Sequence, residues 1–355
     1  MEKTYIIAEA GVNHNGDIQI AKKLIETASN CGADAIKFQT FHASTLVTVN
    51  AKQTKYQQKN TGQKKSQLEM LQQLELTDNE FMELNAFSET KGIDFLSTPF
   101  DRDSLDFLVD KLELSTIKIS SGDLNNYPYL YEVAKKSDQI IISTGMSTID
   151  EIHKALAFIA YGLAGKEINN KSDVLEFYQL SVAKEKLKQH VTVLQCTTSY
   201  PTPLEEVNLQ SIKFLQQELA LPVGFSDHTD STLIPATAVA MGACVIEKHF
   251  TLDKTMPGPD HKASLEPIQL KEMIEAIRKV EKAQGNFGKK LTVSEKDNIN
   301  LVRKSLIANR NISKGELFTE GNLVVKRPGD GISPEFYWDY IGTQAQKDYQ
   351  KDDLI

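Results

Sequence analysis

Eight short apolar runs constrain this chain more than any other feature. They are YIIAEA (5–10), AIKFQT (35–40), DFLST (94–98), TIKISS (116–121), IIISTG (140–145), VTVLQC (191–196), PVGFSD (222–227) and CVIEKH (244–249). Each has the length of a strand, and the runs are too continuous for strands with one wet face. Amphipathic helical patterns lie between most of them. In IQIAKKLIETASNCG, residues Ile18, Ala21, Leu24, Ile25 and Ala28 share a face and Gly32 marks the stop. In TDNEFMELNAFSETKG, Thr77 and Glu80 have capping-box spacing and Gly92 ends the segment. Strands and helices alternating in this way build a parallel sheet covered on both faces. Eight such units within residues 1–285 fit a (β/α)8 TIM barrel, with a doubly wound open sheet as the alternative.

Residues 286–300 read as a linker, and 301–355 as a small module. That module has short β-like pieces (SLIANRN, NLVVKRPG), turn signals (SKGE, PGDG) and no long helical pattern. It is too small for a large core of its own and is expected to dock on something. Two connections are overlong. Residues 41–77 follow the second run, and the polar KYQQKNTGQKKSQ stretch there reads as an active-site loop. Residues 161–190 read as a helical excursion on the surface.

The net charge of −8 argues against nucleic acid or an anionic membrane as partner, so an anionic substrate would need locally placed cations. The three cysteines, Cys31, Cys196 and Cys244, lack CxxC spacing and read as small core residues in a reducing compartment. The apolar run of MEKTYIIAEAG is too short for a signal peptide, and no stretch could span a membrane; a cytoplasmic protein is expected.

In a TIM barrel the active site forms where the strands end. The polar residues there are Glu9; Lys37 and Gln39; Ser97 and Thr98; Lys118, Ser120 and Ser121; Ser143 and Thr144; Thr198 and Tyr200; Ser226, Asp227 and His228; Lys248 and His249. A lysine inside an apolar strand is costly unless it is used. Lys37 and Lys118 with hydroxyls around them suit a phosphate; pairing with rim carboxylates is the plainer reading. His228 and His249 end successive strands, roughly 5 Å apart if those strands pair. They can share a divalent ion, and two imidazoles with a carboxylate or water suit Mn²⁺, Fe²⁺ or Zn²⁺ better than Ca²⁺. Glu9 either anchors the GVNHNG turn or does acid–base work or contacts a sugar hydroxyl. His14 could touch substrate, and His261 lies in a loop that could close over the site.

The blocks IAEAGVNHNGD, AIKFQTF, FLSTPFD, KISSGDLNNYPYL, ISTGM, YPTP, GFSDHT, IEKHFTLDK, GPDHKAS and KRPGDGISP run in order along the chain. Together they resemble the bacterial sialic acid synthase family, which joins phosphoenolpyruvate to an N-acylated sugar. The resemblance implies a TIM barrel followed by a C-terminal antifreeze-like (SAF) domain, in a homodimer where that domain caps the partner's barrel. It implies a divalent metal on His228 and His249, typically Mn²⁺ with Mg²⁺ or Co²⁺ as substitutes. It implies phosphoenolpyruvate contacts at Lys37, Thr98, Lys118, Ser121, Ser143, Thr198 and Ser226. Tyr200 would lie between the substrates and Glu9 would activate water or a hydroxyl. Gln39, Asn60, Asp123 and Asp260 fall where sugar contacts are expected, and Arg327 would reach the N-acyl group from the partner chain. The family commonly has Glu at Asp123 and Asn at Thr198. Two acceptors fit: N-acetylmannosamine, giving N-acetylneuraminate, is the first expectation, and its 2,4-diacetamido-6-deoxy analogue, giving legionaminate, is the second. A Schiff-base pyruvate aldolase built on Lys118 and a carbohydrate-binding protein without catalysis are the competing classes.

Overall fold

The computed structural model describes residues 3–53 and 66–355. Asn60 and most of the polar stretch expected to form an active-site loop lie outside the described residues. The chain divides into two units, Met1–Gly285 and Asn286–Ile355.

The first unit holds eight strands, one at each apolar run: β1 (Tyr5–Gly11), β2 (Ala35–Thr40), β3 (Asp94–Pro99), β4 (Thr116–Ile119), β5 (Gln139–Ser143), β6 (Val191–Cys196), β7 (Val223–Asp227) and β8 (Val245–His249). They form one parallel sheet in the order β3-β2-β1-β8-β7-β6-β5-β4. β1 pairs with β8, as barrel curvature requires. Among the described residues no ladder joins β3 to β4, although the two strands lie side by side. The barrel is therefore closed by packing rather than hydrogen bonds at this one seam.

Local chemistry sets the helix boundaries. The Asp17 side chain caps helix Ile18–Cys31, and Gly32 ends it at φ 88°. Thr77 and Glu80 form the expected capping box of helix Asp78–Lys91. Gly224 of β7 is fixed by crowding, since a Cβ there would lie 2.5 Å from the Val245 carbonyl and 2.6 Å from the Leu194 side chain. No other residue lets β7 sit this close to β6 and β8.

Strand alternation explains where the core stops and the site begins. Ile7, Ala35, Leu96, Ile141, Leu194 and Val245 point into the barrel and make an apolar plug. Two residues further along each strand, on the same face, come Glu9, Lys37, Thr98, Ser143, Cys196 and Glu247. The plug is thus the floor of a polar layer. The outward faces, including Ile6, Ile36, Phe95 and Ile246, join the main core under the helices.

The excursion at 161–190 is more than decoration. It contains helices Lys171–Tyr178 and Ser181–His190, whose Val174, Phe177, Tyr178, Ala183 and Leu187 are buried in the main core. Tyr178 also bonds His153 at 2.7 Å, which ties that histidine into the packing.

The second unit pairs β9 (Ser305–Ala308) antiparallel with β10 (Leu323–Lys326) around a small core of Leu306, Ala308, Ile312, Phe318, Leu323, Ala345 and Tyr349. The stretch read as a linker carries a short helix, Val293–Lys296, and a second, Ile299–Val302, crosses its end. Among the described residues, no helix is long and apolar enough to cross a membrane.

Candidate active site

A cavity of about 360 Å³ opens at the C-terminal ends of the barrel strands. Glu9, Lys37, Gln39, Thr98, Lys118, Ser121, Ser143, Thr198, Tyr200, Ser226, His228 and His249 all line it. Asp123 and Asp260 do not, but both are close enough to feel its charges. Burial raises each of these two carboxyls to about 6; Lys118 pulls Asp123 down and His228 pulls Asp260 down. Arg327 belongs to the second unit.

Lysines and carboxylates interlock at the centre. Lys37 Nζ lies 2.5 Å from Glu9 Oε2 and 3.6 Å from Glu247 Oε2, and donates to Thr98 Oγ1 at 3.1 Å. Lys118 Nζ donates to Ser143 Oγ at 2.7 Å and lies 3.7 Å from Glu247 Oε1. Ser226 Oγ donates to the same Glu247 oxygen at 2.8 Å. Gln39 Nε2 reaches Glu9 Oε1 at 3.4 Å. Burial pushes Glu9 up to about 7 even though Lys37 opposes it. Burial would raise Glu247 too, yet Lys118 and Lys37 hold it down at about 2. Burial lowers Lys118; it acts the same way on Lys37, but there the two carboxylates prevail and raise the amine. The plainer reading, lysines paired with carboxylates, is therefore present in fact. Those pairs sit inside a cavity rather than on a rim, which keeps the lysines available to an incoming anion.

Glu247 is the residue the sequence reading passed over. It lies two positions before His249 on β8, and that spacing alone places both on one strand face. Its neighbour Lys248, grouped with the mouth residues from the sequence, faces the other way. It is wholly buried and bonds Asp227 at 2.6 Å. Ser97 and Thr144 also turn aside, bonding Thr40 at 2.7 Å and the Leu194 carbonyl at 2.8 Å. Cys196 is not simply a core residue. It lines the cavity, with Sγ 3.8 Å from His228 Nδ1. His14 and His261 are buried away from the cavity. His14 Nδ1 accepts from the Gly16 amide, and His261 bonds Thr251 and Asn15.

The His228 and His249 rings converge, with centroids 5.4 Å apart, and Tyr200 packs against both at 4.2 and 5.8 Å. His228 Nδ1 must donate to the Thr197 carbonyl, 2.8 Å away, because a carbonyl only accepts. In the neutral ring that leaves Nε2 with its lone pair. Burial, with His228 and Lys37 adding to it, holds His249 well below the usual histidine range, and its Nδ1 is buried without a hydrogen-bond partner. Burial lowers His228, but Cys196 and the Thr197 carbonyl outweigh it and raise the ring. A divalent ion needs both imidazoles neutral, and in that form two rings 5.4 Å apart fit one. Among the described residues no cluster of three or more His, Cys, Asp or Glu could form a protein cage. Water or substrate would have to complete such a site.

Close backbone approach shapes the wall between β4, β5 and β6. The Gly145 amide donates to Ser121 Oγ at 2.9 Å, and a Cβ on Gly145 would lie 2.2 Å from Thr198 Oγ1. This glycine keeps both hydroxyls in the cavity.

Fold and site define a class: a TIM-barrel protein whose mouth carries cations and hydroxyls for an anion, beside two converging histidines. Comparison with known proteins makes this specific. The NeuB family model matches residues 24–289 and the SAF domain model residues 303–355. The chain belongs to the NeuB family, with a SAF domain at its C-terminal end. It is 48% identical to the N,N'-diacetyllegionaminic acid synthase of Campylobacter jejuni over 355 residues, covering 100% of this chain and 99% of the relative. It is 42% identical to the synthase of the same name from Legionella pneumophila, covering 96% of this chain and 90% of the relative. Among solved structures, the N-acetylneuraminic acid (sialic acid) synthetase of Leptospira borgpetersenii, in complex with citrate, matches with TM-score 0.67 and 30% identity, covering 84% of this chain and 90% of that one.

Proposed function

We propose that this chain condenses phosphoenolpyruvate with 2,4-diacetamido-2,4,6-trideoxymannose, giving N,N'-diacetyllegionaminate and phosphate. The observation that carries the reaction type is the cavity itself, where Lys37, Lys118 and hydroxyls gather beside two histidines. The acceptor is argued from the relatives. Two full-length matches named for diacetyllegionaminic acid, at 48% and 42% identity, stand above the 30% match named for N-acetylneuraminic acid. The sequence alone put N-acetylmannosamine first; the relatives favour the other acceptor.

In this reading Lys37, Lys118, Thr98, Ser121, Ser143, Thr198 and Ser226 hold the phosphate and carboxylate of phosphoenolpyruvate. A divalent ion on His228 and His249, Mn²⁺ by preference and Mg²⁺ or Co²⁺ as substitutes, would supply Lewis-acid polarisation of the open-chain sugar aldehyde. C3 of phosphoenolpyruvate attacks the aldehyde carbon. Water adds to the resulting C2 cation, with Glu9 as the base that takes its proton. The tetrahedral product then loses phosphate by breaking the C2–O bond. Tyr200, packed on both histidine rings, separates the two substrates. Gln39 contacts the sugar, as would Asn60; Asp123 and Asp260, set back from the cavity lining, would act on it through their charge. Two competing classes are weighed against this one. A Schiff base on Lys118 is favoured by the burial that lowers the amine, and borohydride trapping separates it from the condensation. A binding protein would leave this buried charge array without a use.

An acceptor panel tests the choice. With phosphoenolpyruvate, phosphate release should have the highest kcat/KM for the 2,4-diacetamido sugar. A higher value for N-acetylmannosamine would return the neuraminate reading.

The proposal extends to a homodimer in which Arg327 reaches the N-acyl group in the partner's barrel. Its planar fork suits an amide carbonyl with neighbouring hydroxyls. Glu9→Ala and Arg327→Ala should each be nearly inactive, and co-refolding them should restore activity in mixed dimers. Mixed dimers confirmed by mass but still inactive would refute the arrangement in trans.

A further inference from the structure

The inward residues of β7 and β8 account for the cavity, but their outward neighbours carry an ion pair that it does not use. Asp227 and Lys248 are cross-strand partners in the β7–β8 register. Their charged groups meet at 2.6 Å, and both side chains are completely excluded from solvent. Each sits next to one of the two cavity histidines: Asp227 precedes His228, and Lys248 precedes His249. The pair also grips the turn around His228. Asp227 Oδ1 accepts from the Thr229 amide at 2.9 Å and Oδ2 from the Thr229 hydroxyl at 3.1 Å. Lys248 Nζ donates to the Thr229 carbonyl as well. Residues 227 and 229 are therefore tied both to each other and to β8, leaving His228 between two fixed points.

We infer that the buried Asp227–Lys248 pair is a positioning device that fixes the β7 and β8 ends so that the His228 and His249 rings converge on one ion. Stability alone is a poor reason for such a pair. Burying two charges costs desolvation that their attraction rarely returns, and apolar replacements of similar volume are often neutral or stabilising. Geometry is a better reason. The ladder between β7 and β8 stops at the Asp227–Lys248 step, so His228 lies just beyond the last register pair. The His228 carbonyl accepts from the Thr202 amide at 2.9 Å, the clamp ties its two neighbours to β8, and its ring is aimed by the Thr197 carbonyl. Supporting interactions outside the ligands commonly govern metal affinity in this way. The inference rests on the two-histidine metal reading above.

The test is Mn²⁺ binding to the full chain, read from the electron paramagnetic resonance signal of free Mn²⁺. Thermal unfolding in EDTA serves as the stability control. The double variant Asp227→Asn with Lys248→Met removes both charges and keeps the side-chain volumes. It should keep a melting temperature close to wild type in EDTA while Mn²⁺ binds about tenfold more weakly. Thr229→Val keeps both charges and removes the hydroxyl, with its bonds to Asp227 and to the Ser231 amide. It should fold in any case and bind Mn²⁺ about threefold more weakly. His228→Ala and His249→Ala should each lose the ion. If those two bind Mn²⁺ like wild type, or wild type binds none, the metal reading fails and this inference with it. If they lose the ion while the double variant and Thr229→Val keep wild-type affinity, the positioning inference alone is overturned. Should the double variant not fold, wild-type affinity in Thr229→Val suffices to overturn it.

Discussion

Lys118→Met should lower kcat/KM for phosphoenolpyruvate by about thirtyfold to several thousandfold while the protein stays folded. Lys118 is buried in the cavity wall and bonds Ser143, with Glu247 beyond it. Methionine keeps the length and bulk of the stem but removes the charge. The carboxylates stay; one of their two cations goes. A phosphate arriving in the variant meets Glu247 with half its screening lost. Truncating one partner of a buried, hydrogen-bonded charge pair costs about 2–5 kcal/mol, which is the source of that range. The free protein keeps Lys37 3.6 Å from Glu247 and should stay folded by circular dichroism, with a lowered melting temperature because one partner of a buried pair is gone. The same lysine separates the mechanisms. Borohydride with pyruvate should trap nothing on the wild-type protein. A stable adduct at Lys118 would mean a Schiff-base aldolase.

The fold could be read from the chain because each strand announces itself by apolar continuity and each helix by its caps. What could not be read was whether neighbouring strands bond. β3 and β4 follow one another in sequence and lie side by side, yet no ladder joins them among the described residues. No local pattern encodes that. The site was legible as far as strand ends can be recognised. Glu9, Lys37, Thr98, Lys118, Ser143, Ser226, His228 and His249 came from that rule, and all line the cavity. The rule fails where it ignores which face a residue is on. Counting in twos from His249 would have brought in Glu247 and turned Lys248 outward. Cys196 was missed because a buried cysteine at a strand end looks the same whether it faces a helix or the barrel axis; counting in twos from Leu194, in the apolar plug, gives its side. Asp123 and Asp260 stand back from the cavity lining, because loop residues follow no strand period.

The central claim is that this cavity joins phosphoenolpyruvate to an acylamino sugar with cleavage of the C–O bond. It is tested most directly with phosphoenolpyruvate carrying ¹⁸O in its bridging position, turned over with the 2,4-diacetamido sugar. The account predicts a sugar acid longer by three carbons and one bridging ¹⁸O in each inorganic phosphate released. Phosphate without the label, released by P–O cleavage, would contradict it.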